Sequence, residues 1–432
     1  FGPFPNASSF ELGEWFYGQG TQKSLKDFKS LIRVLTSPTF SIGDIKDTKW
    51  TRVFQDLGKN KEDFTKPEQS NWIDDTGWKK TEVKIDVPVH NRMLAGRGTE
   101  SHVVGTLHHR GIVSILEEKV RNAEGLGFLH LDGHELRWKP DESKDSEFRV
   151  ISEIYNSNAF LNAEREIRDN PPPQIQGCSL QKVVVSIQFW SDATHLSAFS
   201  TSKIWPLYMI IGNESNHRRG KGIGESYHHV AYFDSVSSRL SYYDRHSRRI
   251  PDKLMAHLNR ECFHAQWVIL LDDELLKAIT EGVVIECSDG VKRRFFIRIL
   301  TYSADYPERV LVATIKTQGD CPCTSCLTER GNFDQMGTPD DTSFRKVNPR
   351  VDSIAWQTMV YKAREIIKGG RLSVNAFSKR LSLMGFDIFS TLVVDVLHEY
   401  EIGVWKALFL HLIRVLEASG TGSLLVLSLN QR

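Results

Sequence analysis

Two aspartates, a knot of cysteines and an Asp-x-x-His pair are the side chains whose type and placement could do chemistry in this sequence. Asp192 directly follows the apolar run 183–189, and Asp305 follows the run 294–300, 113 residues after Asp192. Side chains on rigid elements are held accurately. Two carboxylates converging at strand ends suit a hard divalent cation such as Mg²⁺ or Mn²⁺, the ions that activate a nucleophilic oxygen and stabilise a leaving oxygen in phosphoryl transfer. An acid after a strand is also an ordinary turn residue or helix cap, so the pattern alone leaves both readings standing. Cys321, Cys323 and Cys326 include one CxxC pair, which offers two soft ligands where a structural zinc site takes four. Asp395 and His398 are three apart and share a helix face, within an apolar stretch. Cys323, Cys326 and His398, with Asp395 or Cys321 as the fourth group, could therefore close a tetrahedral Zn²⁺ site. The plainer alternative is a cluster of thiols and a histidine with its own hydrogen bond. Three basic clusters, around Arg218, Arg219 and Lys221, around Arg248 and Arg249, and around Arg293, could track a phosphate backbone or be solvated loop faces.

The elements that must position these groups follow from periodicity. Residues 183–189, 204–211 and 227–233 are short apolar runs that read as adjacent strands of one sheet. Residues 283–286 and 294–300 flank Ser288-Asp289-Gly290, a hairpin signal. A helix with a break is expected from Pro251 to Ile279, another over 152–168, and a third over 353–368 ending at Gly369-Gly370. A long helix is expected from Leu392 to Ala418. Towards the start, Leu25, Phe28, Leu31, Ile32 and Leu35 keep helical spacing until Pro38. Val83, Ile85 and Val87 alternate as a short strand that Pro88 should stop. The rest of the first 140 residues reads as helices and loops. A polar segment and then Pro171-Pro172-Pro173 mark a boundary.

Composition narrows the class. The chain has 432 residues, of which 40% are hydrophobic and 25% charged, and 55 basic against 54 acidic residues leave a net charge of +1. These are globular values, and the balance excludes a uniformly basic nucleic-acid binder while allowing local patches. No stretch is long and apolar enough for a membrane span, so no membrane partner is expected. Six cysteines are too few for a disulfide scaffold and fit a reducing compartment. The Asn-x-Ser sequences at Asn6 and Asn213 read as chance matches without a secretory signal.

Assembled, these residues resemble the Plavaka transposases of basidiomycete fungi, CACTA-like cut-and-paste elements. Phe189-Trp190-Ser191-Asp192-Ala193-Thr194-His195 resembles the family's first-aspartate segment. Asp289-Gly290 to Arg294 and Leu300-Thr301-Tyr302-Ser303-Ala304-Asp305-Tyr306-Pro307 resemble its second. Gly319-Asp320-Cys321-Pro322-Cys323-Thr324-Ser325-Cys326 is similar to its cysteine segment, and Leu397-His398-Glu399 to Lys406 to its Leu-His-Glu helix. Gly2-Pro3-Phe4-Pro5-Asn6 with Phe10, Leu12 and Trp15 is similar to its opening.

The resemblance implies an α/β, RNase H-like (DDE transposase) mixed-sheet core preceded by a mainly helical N-terminal region. The expected organisation is a helical region over 1–140, a linker over 141–174, the core over 175–318, a cysteine-containing helical insertion over 319–390 and a C-terminal helix over 391–432. Asp192 and Asp305 take the places of the first two catalytic acids, and Asp395-x-x-His398 matches a signature found after the second acid. The implied activity is metal-dependent DNA cleavage and strand transfer, with Mg²⁺ or Mn²⁺ as the catalytic ion, Zn²⁺ as a structural one, DNA as the partner and the nucleus as the location. A homo-oligomer is left open. The family's N-terminal zinc finger is missing here, and Glu399, Glu401 and Glu417 are the only acids after His398. The expectation is thus a truncated copy without its third acid. The alternative function is a non-catalytic DNA- or protein-binding descendant of a transposase, and a zinc-bearing interaction domain is a further one.

Overall fold

The computed structural model describes residues 4–17, 25–50, 52–53, 77–91, 96–140, 147–195, 203–220, 226–236, 252–360 and 375–418. The chain divides into two compact units, one made of residues 1–72 with 193–204 and the other of residues 73–192 with 205–432. Among its described residues the smaller unit holds α1 (Ala7–Tyr17), α2 (Leu25–Leu35) and α3 (Ile42–Asp47). Helix α2 ends three residues before Pro38, as the spacing of its apolar residues implies. Ser41 caps α3 by accepting the amide of Asp44 at 3.4 Å, which satisfies one of the donors a helix start leaves open.

The larger unit is mixed α/β, built on an eight-stranded curled sheet. Its strands are β1 (Lys79–Asn91), β2 (Gly96–His109), β3 (Lys182–Ser191), β4 (Pro206–Ile211), β5 (Tyr227–Tyr232), β6 (Val283–Glu286), β7 (Lys292–Ala304) and β8 (Leu392–Val394). The order is β1-β2-β5-β4-β3-β7-β6, with β8 also paired to β7. Strands β3, β4 and β5 are antiparallel neighbours, as their three apolar runs imply. Strand β7 runs parallel to β3, and β8 runs parallel to β7.

Strand β3 is buried on both faces, which is why it reads as a continuous apolar run rather than an alternation. Val183, Val185, Ile187 and Phe189 pack with Leu258, Phe263 and Trp267 of helix α6. Val184 packs on the other side with Phe160 and Ile167 and with Phe296 of β7. In chain order the longer helices among the described residues of this unit are α4 (Ile112–Arg121), α5 (Asn158–Asp169), α6 (Asp252–Leu270), α7 (Asp273–Thr280), α8 (Tyr306–Ala313), α9 (Pro339–Val347) and α10 (Lys406–Ala418). The expected broken helix is α6 and α7, interrupted at Leu271 and Asp272, where Asp272 caps α7 by accepting the amide of Leu275 at 2.8 Å. Trp267 is fully buried and meets the rings of Phe189 and Tyr302 edge-on, with centroids 5.4 Å away in each case. Such pairs contribute about 0.5–1.5 kcal/mol each beyond area burial, and here they hold Tyr302 rigid beneath the end of β7.

Three expectations change. Residues 79–91 and 96–109 pair as two long antiparallel strands that join the sheet, within a stretch expected to be mainly helical. Pro88 does not stop β1: that strand lies at the sheet edge, where a residue lacking an N–H is tolerated. The helix expected to begin at Leu392 begins later, because residues 392–394 pair with Tyr302, Ser303 and Ala304 as a strand. A π-helical stretch, Leu397–Trp405, and then α10 follow it. The Asn-x-Ser sequence at Asn213 lies in the core, in keeping with a chance match. The buried Asn213 amide accepts from Ser186 N at 2.9 Å and donates to Val184 O at 2.8 Å and His130 O at 2.9 Å, extending the β4 ladder with a side chain.

Candidate active site

Three parallel strands end side by side, and an aspartate follows each. Trp190 of β3 is opposite Ser303 of β7, so Asp192 and Asp305 both lie two residues beyond that pair. Ala304 is opposite Val394 of β8, so Asp305 and Asp395 both lie one residue beyond that one. The three therefore share one row at the carboxyl ends of adjacent strands, the edge outside which ligands bind in open α/β sheets. Neighbouring strands are spaced about 4.8 Å apart. Asp395 enters this row only because residues 392–394 are a strand. The apolar run Leu392-Val393-Val394 hid that, since a short apolar run carries no period of its own.

Each carboxylate has a distinct setting. Asp192 is exposed. Asp305 is half-buried and caps α8, its Oδ1 accepting the amide of Glu308 at 2.9 Å. Asp395 Oδ2 accepts from His398 Nδ1 at 2.9 Å, while Oδ1 takes the amides of Leu397 at 2.9 Å and His398 at 3.3 Å. Burial opposes the charge on Asp395, but the hydrogen bonds and charge of His398 outweigh it and hold its pKa below the ordinary carboxylate value. The hydrogen bond that His398 donates to Asp395 raises the pKa of His398. Partial burial opposes that rise, and the charges of Asp395, Asp192 and Asp305 add to it. One imidazole thus feels all three carboxylates.

Beneath the row lies a buried carboxyl that sequence reading missed. Glu308 accepts from the hydroxyls of Ser191 and Tyr302, the latter at 2.7 Å, and from Trp205 Nε1 at 3.0 Å. Burial pushes its pKa up to about 7, against the lowering effect of those three donors. The signal was present but pointed elsewhere: Asp305-x-x-Glu308 reads as a capping box. The cap forms, yet the glutamate turns into the core.

The cysteine loop is held by arginines. Arg350 Nε donates to Cys323 O at 2.6 Å and Nη2 to Cys321 O. Arg345 Nη1 lies 3.5 Å from Cys326 Sγ, and Arg345 also grips Asp341 at 2.8 Å. Burial works against the Cys326 thiolate, but Thr328, Cys323 and Arg345 together lower its pKa. Buried Arg309 donates to Thr324 Oγ1 at 3.1 Å and pairs with Glu399. The link expected of zinc, between the cysteine loop and the helix after Asp395, is made here by Arg309. Among the described residues no three His, Cys, Asp or Glu side chains are gathered as a ready metal-ligand group. Cys323 and Cys326 therefore do not gather with His398, whose Nδ1 serves Asp395, and the aspartate row is a row of backbone positions rather than a closed ligand shell.

Residues 61–413 match the family model described as Plavaka transposase. The chain belongs to the Plavaka transposase family. No curated protein and no solved structure matches it. Membership of a transposase family implies DNA as the partner, so the expected phosphate-binding arginines of this Plavaka chain matter. Arg218 stacks over Phe128 at 3.3 Å and pairs with buried Glu214 at 3.4 Å. Arg219 donates to Gln188 Oε1 at 2.8 Å and pairs with Glu153 at 3.5 Å. Arg293 forms a two-pronged bond to Asp289 at 2.9 and 2.7 Å and donates to Gln181 at 2.9 Å. All three guanidinium groups are largely buried and each is paired with a carboxylate of this chain. Lys221, Arg248 and Arg249 lie outside the described residues. No helix among the described residues is long and apolar enough to cross a membrane.

Proposed function

We propose that this Plavaka-family chain carries an RNase H-like core in which Asp192, Asp305 and Asp395 form a divalent-cation site for DNA strand cleavage and transfer. The observation that carries this reading is the row of three aspartates at the carboxyl ends of three adjacent parallel strands. The sheet order supports it: three antiparallel strands (β5, β4, β3) followed by two parallel ones (β7, β8). The donor set fits Mg²⁺ or Mn²⁺, since all three groups offer oxygen. The three carboxylates are not gathered on one point, so binding one ion would require them to turn towards each other. When bound, such an ion supplies Lewis-acid stabilisation of phosphoryl oxygens and activation of a water or a DNA 3′-hydroxyl.

The chain's own residues do the rest. Asp395 orients His398 through Nδ1, which leaves Nε2 as the nitrogen for a proton or a phosphate oxygen. Because its pKa is raised, His398 carries positive charge further towards neutral pH than an ordinary histidine. Glu399 is engaged by Arg309, whereas Asp395 stands in the row itself, so Asp395 is the candidate for the third acid. DNA as substrate assigns the protein to the nucleus. Zn²⁺ at the cysteine loop is a separate structural proposal: Cys321, Cys323 and Cys326 are its candidate ligands, and they would have to close on the ion because they are not gathered ready for one.

The test is nicking of labelled duplex DNA with Mn²⁺ by the full chain, alongside Asp192→Asn and Asp305→Asn. Cleavage lost in both variants supports the catalytic reading. DNA binding without cleavage in the parent chain favours the non-cutting alternative.

A further inference from the structure

Glu308 reaches from the first turn of α8 back under the sheet, where it is 6% exposed. Its partners are placed with respect to the aspartate row. Ser191 is the last residue of β3, immediately before Asp192. Tyr302 stands on β7 three residues before Asp305, and Ser191 and Tyr302 also bond each other at 2.8 Å. The amide of Glu308 itself is held by Asp305. One carboxyl thus joins the residue beside the first aspartate to the strand and the helix on either side of the second. An apolar residue of the same size would fill the space but leave the hydroxyls of Ser191 and Tyr302 and the indole N–H of Trp205 without their acceptor, a loss of buried hydrogen bonds.

We propose that Glu308 is a positioning residue: it cross-links the carboxyl ends of β3 and β7 through Ser191 and Tyr302 and so sets the spacing of Asp192 and Asp305. This rests on reading the aspartate row as a divalent-cation site. A buried polar group with no such role would hold the fold without governing that spacing.

The two are separated on the full chain with Glu308→Gln, Glu308→Ala and Ser191→Ala. Glutamine keeps the bridge, because its carbonyl accepts from Trp205 while its NH₂ donates to both hydroxyls. Crystal structures read the Asp192–Asp305 separation without any ion, and titration with Mn²⁺ alone reads the consequence. Glu308→Gln should keep the separation and bind Mn²⁺ within about twofold of the parent. Glu308→Ala should spread the strand ends and weaken Mn²⁺ binding by roughly 10–100-fold, the effect typical of lost outer-shell partners. A folded Glu308→Ala with unchanged separation and affinity overturns the proposal, as does a Glu308→Gln as damaging as the alanine. Should Glu308→Ala not fold, Ser191→Ala decides, since it removes one strut and keeps the carboxyl; an unchanged separation there overturns the proposal. A parent chain that takes no Mn²⁺ at Asp192 sinks the cation-site reading, while the crystallographic separation still decides the role of Glu308.

Discussion

Replacing Glu308 with glutamine should make the protein more stable above neutral pH. The carboxyl is buried and its pKa is raised from 4.5 to about 7, chiefly by burial. A raised acid contributes full stability below its unfolded pKa, where both states are protonated. As pH climbs from about 4.5, the unfolded chain releases the proton and the folded chain does not, so stability falls until about pH 7. The shift corresponds to roughly 3 kcal/mol at 1.36 kcal/mol per unit. Glutamine is neutral throughout and meets the same three partners. Urea unfolding of parent and variant in metal-free buffer between pH 4.5 and 8 gives the difference directly, and groups that titrate alike in both cancel. The difference should grow in favour of the variant by roughly 3 kcal/mol across that range. A flat difference, or a variant that loses ground as pH rises, refutes the assignment of a buried, neutral carboxyl at Glu308.

His228 works in the opposite direction. Burial and then the charge of Lys119 lower its pKa to about 4, so stability should fall as pH drops from about 6.5 to about 4, by roughly 2–3 kcal/mol, and His228→Gln should flatten that limb of the unfolding profile. Asn213→Ala strips one backbone amide and two carbonyls of a buried partner and should cost roughly 2–4 kcal/mol in denaturant unfolding. A double-mutant cycle on Arg309 and Glu399 should show a coupling of about 1–3 kcal/mol, with both single variants exposing the cysteine loop to limited proteolysis; additive effects would separate that loop from the helix after Asp395.

Much of the core was legible because burial writes itself locally. The runs that became β3, β4 and β5, the hairpin of β6 and β7, and the break between α6 and α7 were all readable from apolar spacing and turn residues. What stayed hidden depended on neighbours distant in the chain. Strand β8 is three residues long and exists because β7 offers it an edge. Strand β2 carries no clean alternation: Val103 is exposed and Val104 buried, and the strand is held by pairing with β1. Arg218 and Arg219 look like a phosphate-binding cluster until Glu153, Gln188 and Glu214 are brought beside them. Arg293 is the exception, since its partner Asp289 is four residues away and was visible in the turn. Asp192 and Asp305 are legible in the sequence as residues that follow strands. Asp395 is legible only as a partner of His398, because nothing local marks Val394 as the end of a strand.

The most direct test of the aspartate row is a crystal of the full chain soaked in Mn²⁺, with anomalous difference density measured at the manganese edge. A divalent-cation site at the row should give a peak between the carboxylates of Asp192 and Asp305, within about 2.0–2.4 Å of their oxygens and close to Asp395, which vanishes in Asp192→Asn. No peak at the row, or a peak only at residues 321–326, would contradict it.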